Sequence, residues 1–183
     1  YLPVSLGDRV RRGVVLTLLP GTIDETTLLG VHLRSGCPDG PMTDANNPAC
    51  ATLAAQVPAL EAWIDAQAAA GRRFAVLGDF NRRMPLERGP ARDAEGRQLN
   101  LWAEIDDREP RGADLVRVSE KLPFRKCVAG DPYDSYIDDI VLGRELAPRI
   151  VRNGYVRVTY SVEDAAARKL SDHCPVGVDL RLR

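Results

Sequence analysis

Four short stretches of the sequence run an apolar segment into acids, amides or histidines, the side chains that move protons and hold phosphate or cations. In Val76-Leu77-Gly78-Asp79-Phe80-Asn81, Asp79 and Asn81 stand two apart, so an extended backbone presents both on one side. The carboxylate can take a proton from water or hold a cation. The amide can donate to a phosphate oxygen without adding charge. An ordinary strand-to-turn junction, rich in Gly, Asp and Asn, has the same composition. In Val31-His32-Leu33-Arg34-Ser35-Gly36, His32 lies between two apolar residues that face the other way. Such a histidine is either a locally satisfied side chain or a reactive one. In Tyr136-Ile137-Asp138-Asp139-Ile140-Val141, two adjacent carboxylates interrupt an apolar strand. Burying both is costly, so at least one must meet a metal, a histidine or water. In Leu170-Ser171-Asp172-His173-Cys174-Pro175-Val176, an acid and an imidazole precede an alternating strand. Histidine titrates near neutrality and can exchange protons with a phosphate ester.

A rigid scaffold must position these groups. Arg12 to Leu19 and Thr26 to Leu33 read as two strands of a hairpin, separated by a break at Pro20-Gly21. Ser35 to Pro48 reads as a loop. Ala49 to Ala70 carries apolar residues at helical spacing, with Gly71 as its C-terminal stop. Pro58 is expected to kink this helix or begin a second segment. Arg73 to Gly78 is apolar throughout and reads as a strand covered on both faces. Asn81 to Arg97 reads as loop and Leu99 to Ile105 as a short helix. Short strands are expected at Ala113 to Val118 and Phe124 to Val128, and stronger ones at Tyr136 to Leu142, Gly154 to Tyr160 and Cys174 to Leu182. Strands with at least one long helix between them predict a layered α/β sandwich.

Size and composition fit this reading. The 183 residues suffice for one domain with a substantial core, taken here as 1–183. Hydrophobic residues make up 44% and charged residues 28%, which excludes disordered and fibrous classes. No apolar run approaches the roughly 20 residues of a membrane span. The net charge of −1 argues weakly against a nuclease that grips backbone phosphates regardless of sequence. The small clusters Arg9, Arg11, Arg12, then Arg72, Arg73, then Arg82, Arg83 read as solvated surface, or else as a local basic patch. The chain opens on Tyr1, and its methionines are Met42 and Met84, so its natural start is expected upstream. Cys37 and Cys50 flank a Pro, Gly, Asp and Asn loop that a bridge would restrain, which leaves Cys127 and Cys174 as a second pair. Zinc ligation is the rival reading, weakened by the lack of C-x-x-C or H-x-x-H spacing, and four reduced buried thiols are another. Disulfides would place the protein in the periplasm or outside the cell.

The order H-L-R-S-G, G-D-F-N, I-D-D-I, S-D-H-C-P-V resembles the endonuclease/exonuclease/phosphatase superfamily, whose members include DNase I-like nucleases, inositol phosphatases and sphingomyelinases. The matching stretches run from His32 to Val176. Cys50 to Ile64, with Leu53, Gln56, Leu60 and Trp63, is similar to a bacterial, often exported, branch. The resemblance implies a four-layer α/β/β/α sandwich with its active site at one end between two central sheets. It implies that Asp79 activates the attacking water, Asn81 steadies the phosphate, His173 faces it, and Asp138 orients and charges His173. His32 corresponds to a group that protonates the leaving oxygen or binds phosphate. Asp172, with Asp79, corresponds to a metal-site carboxylate. The implied cofactor is Mg²⁺, with Mn²⁺ or Ca²⁺ as substitutes, and the implied substrate is a phosphate ester of nucleic acid, lipid or sugar.

Three departures from the family pattern stand out. Arg34 takes the place of a common lysine, and Asp139 that of a His or Arg near the phosphate. The early strands bearing an asparagine and a metal-binding glutamate have no counterpart, since Glu25 lies in a turn. Upstream sequence or a partner chain is therefore expected to complete the sheet. The alternative is a catalytically incomplete fragment, the C-terminal part of such a domain, kept for binding or assembly.

Overall fold

A computed structural model describes residues 2–182. Eight strands and three α-helices follow in the order β1 (Leu2–Val4), β2 (Gly13–Leu18), β3 (Thr26–His32), α1 (Pro48–Ala69), β4 (Phe74–Asp79), α2 (Leu101–Ile105), β5 (Leu115–Arg117), β6 (Asp138–Gly143), β7 (Ile150–Arg157), α3 (Val162–Arg168) and β8 (Val176–Leu180). Six strands form one sheet in the order β1-β2-β3-β4-β6-β5, while β7 and β8 pair as a second sheet. The expected hairpin is β2 against β3, antiparallel. β3 then runs parallel to β4, with α1 as the crossover, and β6 returns antiparallel beside β4.

Side-chain alternation sorts the large sheet into two faces. Leu29 and Val31 of β3, Phe74 and Val76 of β4, and Val141 of β6 pack under Leu53, Val57, Leu60 and Ile64 of α1 and Leu101 and Ile105 of α2. The intervening residues Leu28, Ala75, Leu77, Ile140 and Leu142 look the other way and meet Val176, Val178 and Leu180 of β8. The described residues thus build a helical layer, a large sheet and a small sheet. α3 contributes no buried residue. The gap between the sheets opens into an apolar cleft of about 530 Å³ between Leu28, Leu77, Ile140, Val178 and Leu180. Nearby, Val14, Leu16 and Leu18 of β2 are 42–46% exposed.

Some boundaries differ from the sequence reading. α1 is one 22-residue helix that continues through Pro58. It stops where expected: Gly71 takes φ +62°, its N–H bonds Ala68 O, and Arg72 N–H bonds Gln67 O, the paired bonds of a left-handed C-terminal cap. Phe124 to Val128 is not a strand. Only Val128 forms an isolated bridge, to Tyr160, and Phe124 spends its ring against Tyr136 instead. β7 starts and ends earlier than its alternation suggests. Both bridges form as read, Cys37–Cys50 and Cys127–Cys174, which excludes zinc ligation by these thiols. No helix among the described residues is long and apolar enough to cross a membrane.

Candidate active site

The strand register sets the site. His32 of β3 lies opposite Asp79 of β4, and Asp79 lies opposite Asp138 of β6. Each continues the alternation of residues facing the small sheet (Leu28, Leu77 and Ile140 respectively). The three side chains therefore stand in a row across neighbouring strands, at one end of the gap between the sheets. His173 arrives from the segment that leads into β8. Its Nδ1 lies 2.9 Å from both oxygens of Asp138. Cys174, the next residue, is tied to Cys127 and anchors that approach.

Local backbone needs explain the G-D-F-N stretch. Gly78 has φ +133°, and a Cβ there would fall 2.1 Å from Val31 O of the neighbouring strand. No other residue fits. Asn81 adopts φ +51°, a left-handed conformation that asparagine tolerates better than most. Its amide then curls back over Asp79. Asn81 N donates to Asp79 Oδ1 at 2.8 Å, and Asn81 Nδ2 donates to Asp79 Oδ2 at 2.8 Å and to Leu33 O at 3.0 Å. Both hydrogens of the amide are thereby spent. In this arrangement Asn81 holds Asp79 and offers no free donor to a phosphate.

Burial raises the Asp79 pKa above the ordinary carboxylate range, and the charge of Asp138 adds to the rise. The Asn81 backbone hydrogen bond and the charges of His173 and His32 oppose it. For His173, burial works against the charged form. The hydrogen bond and charge of Asp138, with Asp79 and Asp172 behind it, outweigh burial and raise the imidazole pKa. His32 Nε2 lies 3.4 Å from Asp79 Oδ2 and also meets the Arg11 guanidinium.

Asp79, Asp138 and His173 bring one ligand atom each within 4.8 Å of one another, a cluster able to hold a metal ion. Two carboxylates facing each other across a strand pair, one pushed toward its neutral form, suit a hard cation that prefers oxygen and water. Asp172 lies outside this cluster. It is exposed, in the wall of a cavity of about 280 Å³ that opens beside Asp138 and His173. Asp139 faces the helical side instead. It is 2% exposed, bonded to Ser119 Oγ at 2.5 Å, and burial raises its pKa. It thus does not join the row of His32, Asp79 and Asp138. Sequence reasoning missed Arg11, since nothing ties an arginine before β2 to a histidine 21 residues on. It also missed Arg157, the last residue of β7, which lines the cavity.

No family model matches the chain, and a search of the curated proteins finds no match. Solved structures do match. A 3′ phosphatase from Neisseria, NExo, seen as a variant bound to a product DNA hairpin, superposes with a TM-score of 0.62. The likeness covers 99% of this chain and 72% of the phosphatase, at 16% sequence identity. The chain has the fold of that phosphatase. NExo is the longer chain, and part of it lies outside the match.

Proposed function

We propose that this protein is a metal-dependent phosphoesterase that hydrolyses its ester at phosphorus. The observation that carries the reading is the convergence of Asp79, Asp138 and His173 from three separate segments on one end of the inter-sheet gap. The Neisseria phosphatase of the same fold is consistent with it. Asp79 serves as the base that takes a proton from water, and its raised pKa suits that task. Asn81 fixes that carboxylate, and would steady the phosphate by exchanging its bond to Leu33 O. His173, charged and oriented by Asp138, faces the phosphate oxygens. His32, beside Asp79, binds the ester or protonates the departing oxygen. Asp79 and Asp138, with Asp172 at the rim, are the carboxylates toward which Mg²⁺ would be drawn. Bound there, the ion would neutralise phosphate oxygens and polarise the ester. With two disulfides, the protein operates in the periplasm or outside the cell.

The test is hydrolysis of a panel of nucleotide, sugar and lipid phosphate esters in Mg²⁺ and in chelator, by wild type, Asp79→Ala and His173→Ala. Each substitution is expected to lower kcat/KM about 100-fold or more, and chelation to abolish turnover. Turnover that survives both substitutions refutes the assignment.

The open cleft between Leu28, Leu77 and Leu180, with exposed Val14, Leu16 and Leu18, favours a second reading for the assembly. Further chain, upstream or from a partner, covers this apolar face and extends the small sheet. Absence of turnover by the wild type on every ester would turn the reading toward a fragment kept for binding or assembly.

A further inference from the structure

The cavity beside His173 is lined by a cation part of whose hydrogen-bonding capacity is unspent. Arg157 reaches it from β7, and its guanidinium carbon lies 5.1 Å from the Tyr136 ring centre and 5.8 Å from that of Phe124. Its Nε and Nη1 are buried, and neither has a hydrogen-bond partner among the described residues. The two rings offset some of the desolvation of the charge, but they accept no N–H. The other arginine of the wall, Arg83, is already paired, with Asp39 at 3.2 Å and Asp134 at 3.4 Å. Nor do the wall's own acids satisfy Arg157. Both Asp138 oxygens lie against His173, and Asp131 Oδ2 accepts from Val128 N.

A guanidinium held over aromatic rings, with N–H groups left unpaired, is pre-organised to donate to phosphate oxygens. Arg157 shares the wall of a cavity of about 280 Å³ with Asp138 and His173, a volume with room for a sugar-sized unit. Resting on the phosphoesterase reading above, we propose that Arg157 binds a second phosphate of the substrate, one sugar unit away from the phosphate that is cleaved. The preferred substrates are then esters with two phosphates, not isolated phosphomonoesters. A nucleic-acid end and a sugar bisphosphate share that chemistry.

The experiment compares nucleoside 3′,5′-bisphosphate with nucleoside 3′-monophosphate, which differ only in the second phosphate. Inositol mono- and bisphosphates form a parallel arm that tells the two sources apart. Wild type should prefer the bisphosphate in kcat/KM by about tenfold or more, the usual worth of a charge-assisted hydrogen bond. Arg157→Met should bring that ratio near one, and Arg157→Lys should restore part of it. A wild-type ratio near one overturns the proposal, and this arm requires no variant to fold. So does a preference that survives Arg157→Met. Calorimetric binding of the same ligands gives a readout separate from turnover. Arg157-dependent binding without hydrolysis keeps the subsite and sinks the catalytic reading, whereas hydrolysis without Arg157 dependence does the reverse. Binding of neither bisphosphate also overturns the subsite.

Discussion

Arg82 and Glu87 form an ion pair sealed behind the Asp79–Asn81 turn, with Arg82 Nε donating to Glu87 Oε1 at 2.5 Å and side chains 1% and 6% exposed. Arg82 Nη1 also donates to Cys37 O at 3.1 Å, inside the loop closed by the Cys37–Cys50 bridge. Glu87 accepts the backbone N–H groups of Leu101 and Trp102 at the start of α2. One pair thus ties the turn that holds Asp79 to a loop and a helix. Removing one partner leaves a buried charge unmatched, at a cost of about 3–5 kcal/mol. Glu87→Gln is therefore expected to lower Tm by about 10 °C, measured by thermal unfolding. A Tm within about 2 °C of wild type, less than the shift from 1 kcal/mol, would show that the pair contributes little.

Asp138 governs the charge on His173. Burial alone would lower that imidazole's pKa, so its rise comes from the Asp138 hydrogen bond and from nearby carboxylates. Asp138→Asn keeps the shape and removes the charge. NMR titration of the His173 ring should then show its pKa falling. The linkage has a definite sign. A raised folded pKa contributes stability that is present below about pH 6.5 and lost as pH rises through the folded value. The stability of wild type relative to Asp138→Asn should therefore shrink as pH rises across that window. An unchanged His173 titration would separate the two residues.

The sequence disclosed the reactive row because each member ends or starts an apolar run, and strand alternation carries it to a predictable face. His32, Asp79 and Asp138 needed only pairing, and the register supplied it. The positions of Arg11, Arg82 and Arg157 were not legible. Arginine in a sequence reads as solvated surface, and only tertiary packing shows that Arg82 is wholly buried and Arg157 stacked on rings. Asp139 misled for a related reason: neighbours in a strand face opposite ways, so only one of the two acids can reach the site. Strand β1, three residues long, is too short for any periodic signal.

The rate of hydrolysis should have two pH limbs. On the acid side, activity is lost as Asp79 takes up a proton. Because burial raises its pKa, the loss should begin above the ordinary carboxylate value of about 4. On the alkaline side, the loss of charge from His173 should end activity above the ordinary histidine value of about 6.5. Asp138→Asn should move the alkaline limb down in pH. A profile of kcat/KM whose alkaline limb ignores that substitution would remove His173 from the phosphate.

Away from the site, Glu61 and Asp65 stand one turn apart on α1, with Glu61 Oε2 and Asp65 Oδ1 buried and a hydrogen bond between the two side chains that requires a proton on one of them. Burial first, then the charges of Asp65, Asp107 and Glu104, push the Glu61 pKa to about 8. The folded protein therefore holds a proton there that the unfolded chain gives up above its ordinary value of about 4.3. Stability should fall as pH rises from that value to about 8, opposite in sign to a salt-bridged carboxylate. Glu61→Gln mimics the protonated form at every pH. It should raise Tm at pH 8 by a few degrees, about 1 kcal/mol for this half-exposed group, and flatten the dependence. Thermal melts of both proteins between pH 5 and pH 8 decide the matter. Parallel curves would mean that Glu61 ionises freely in the folded state.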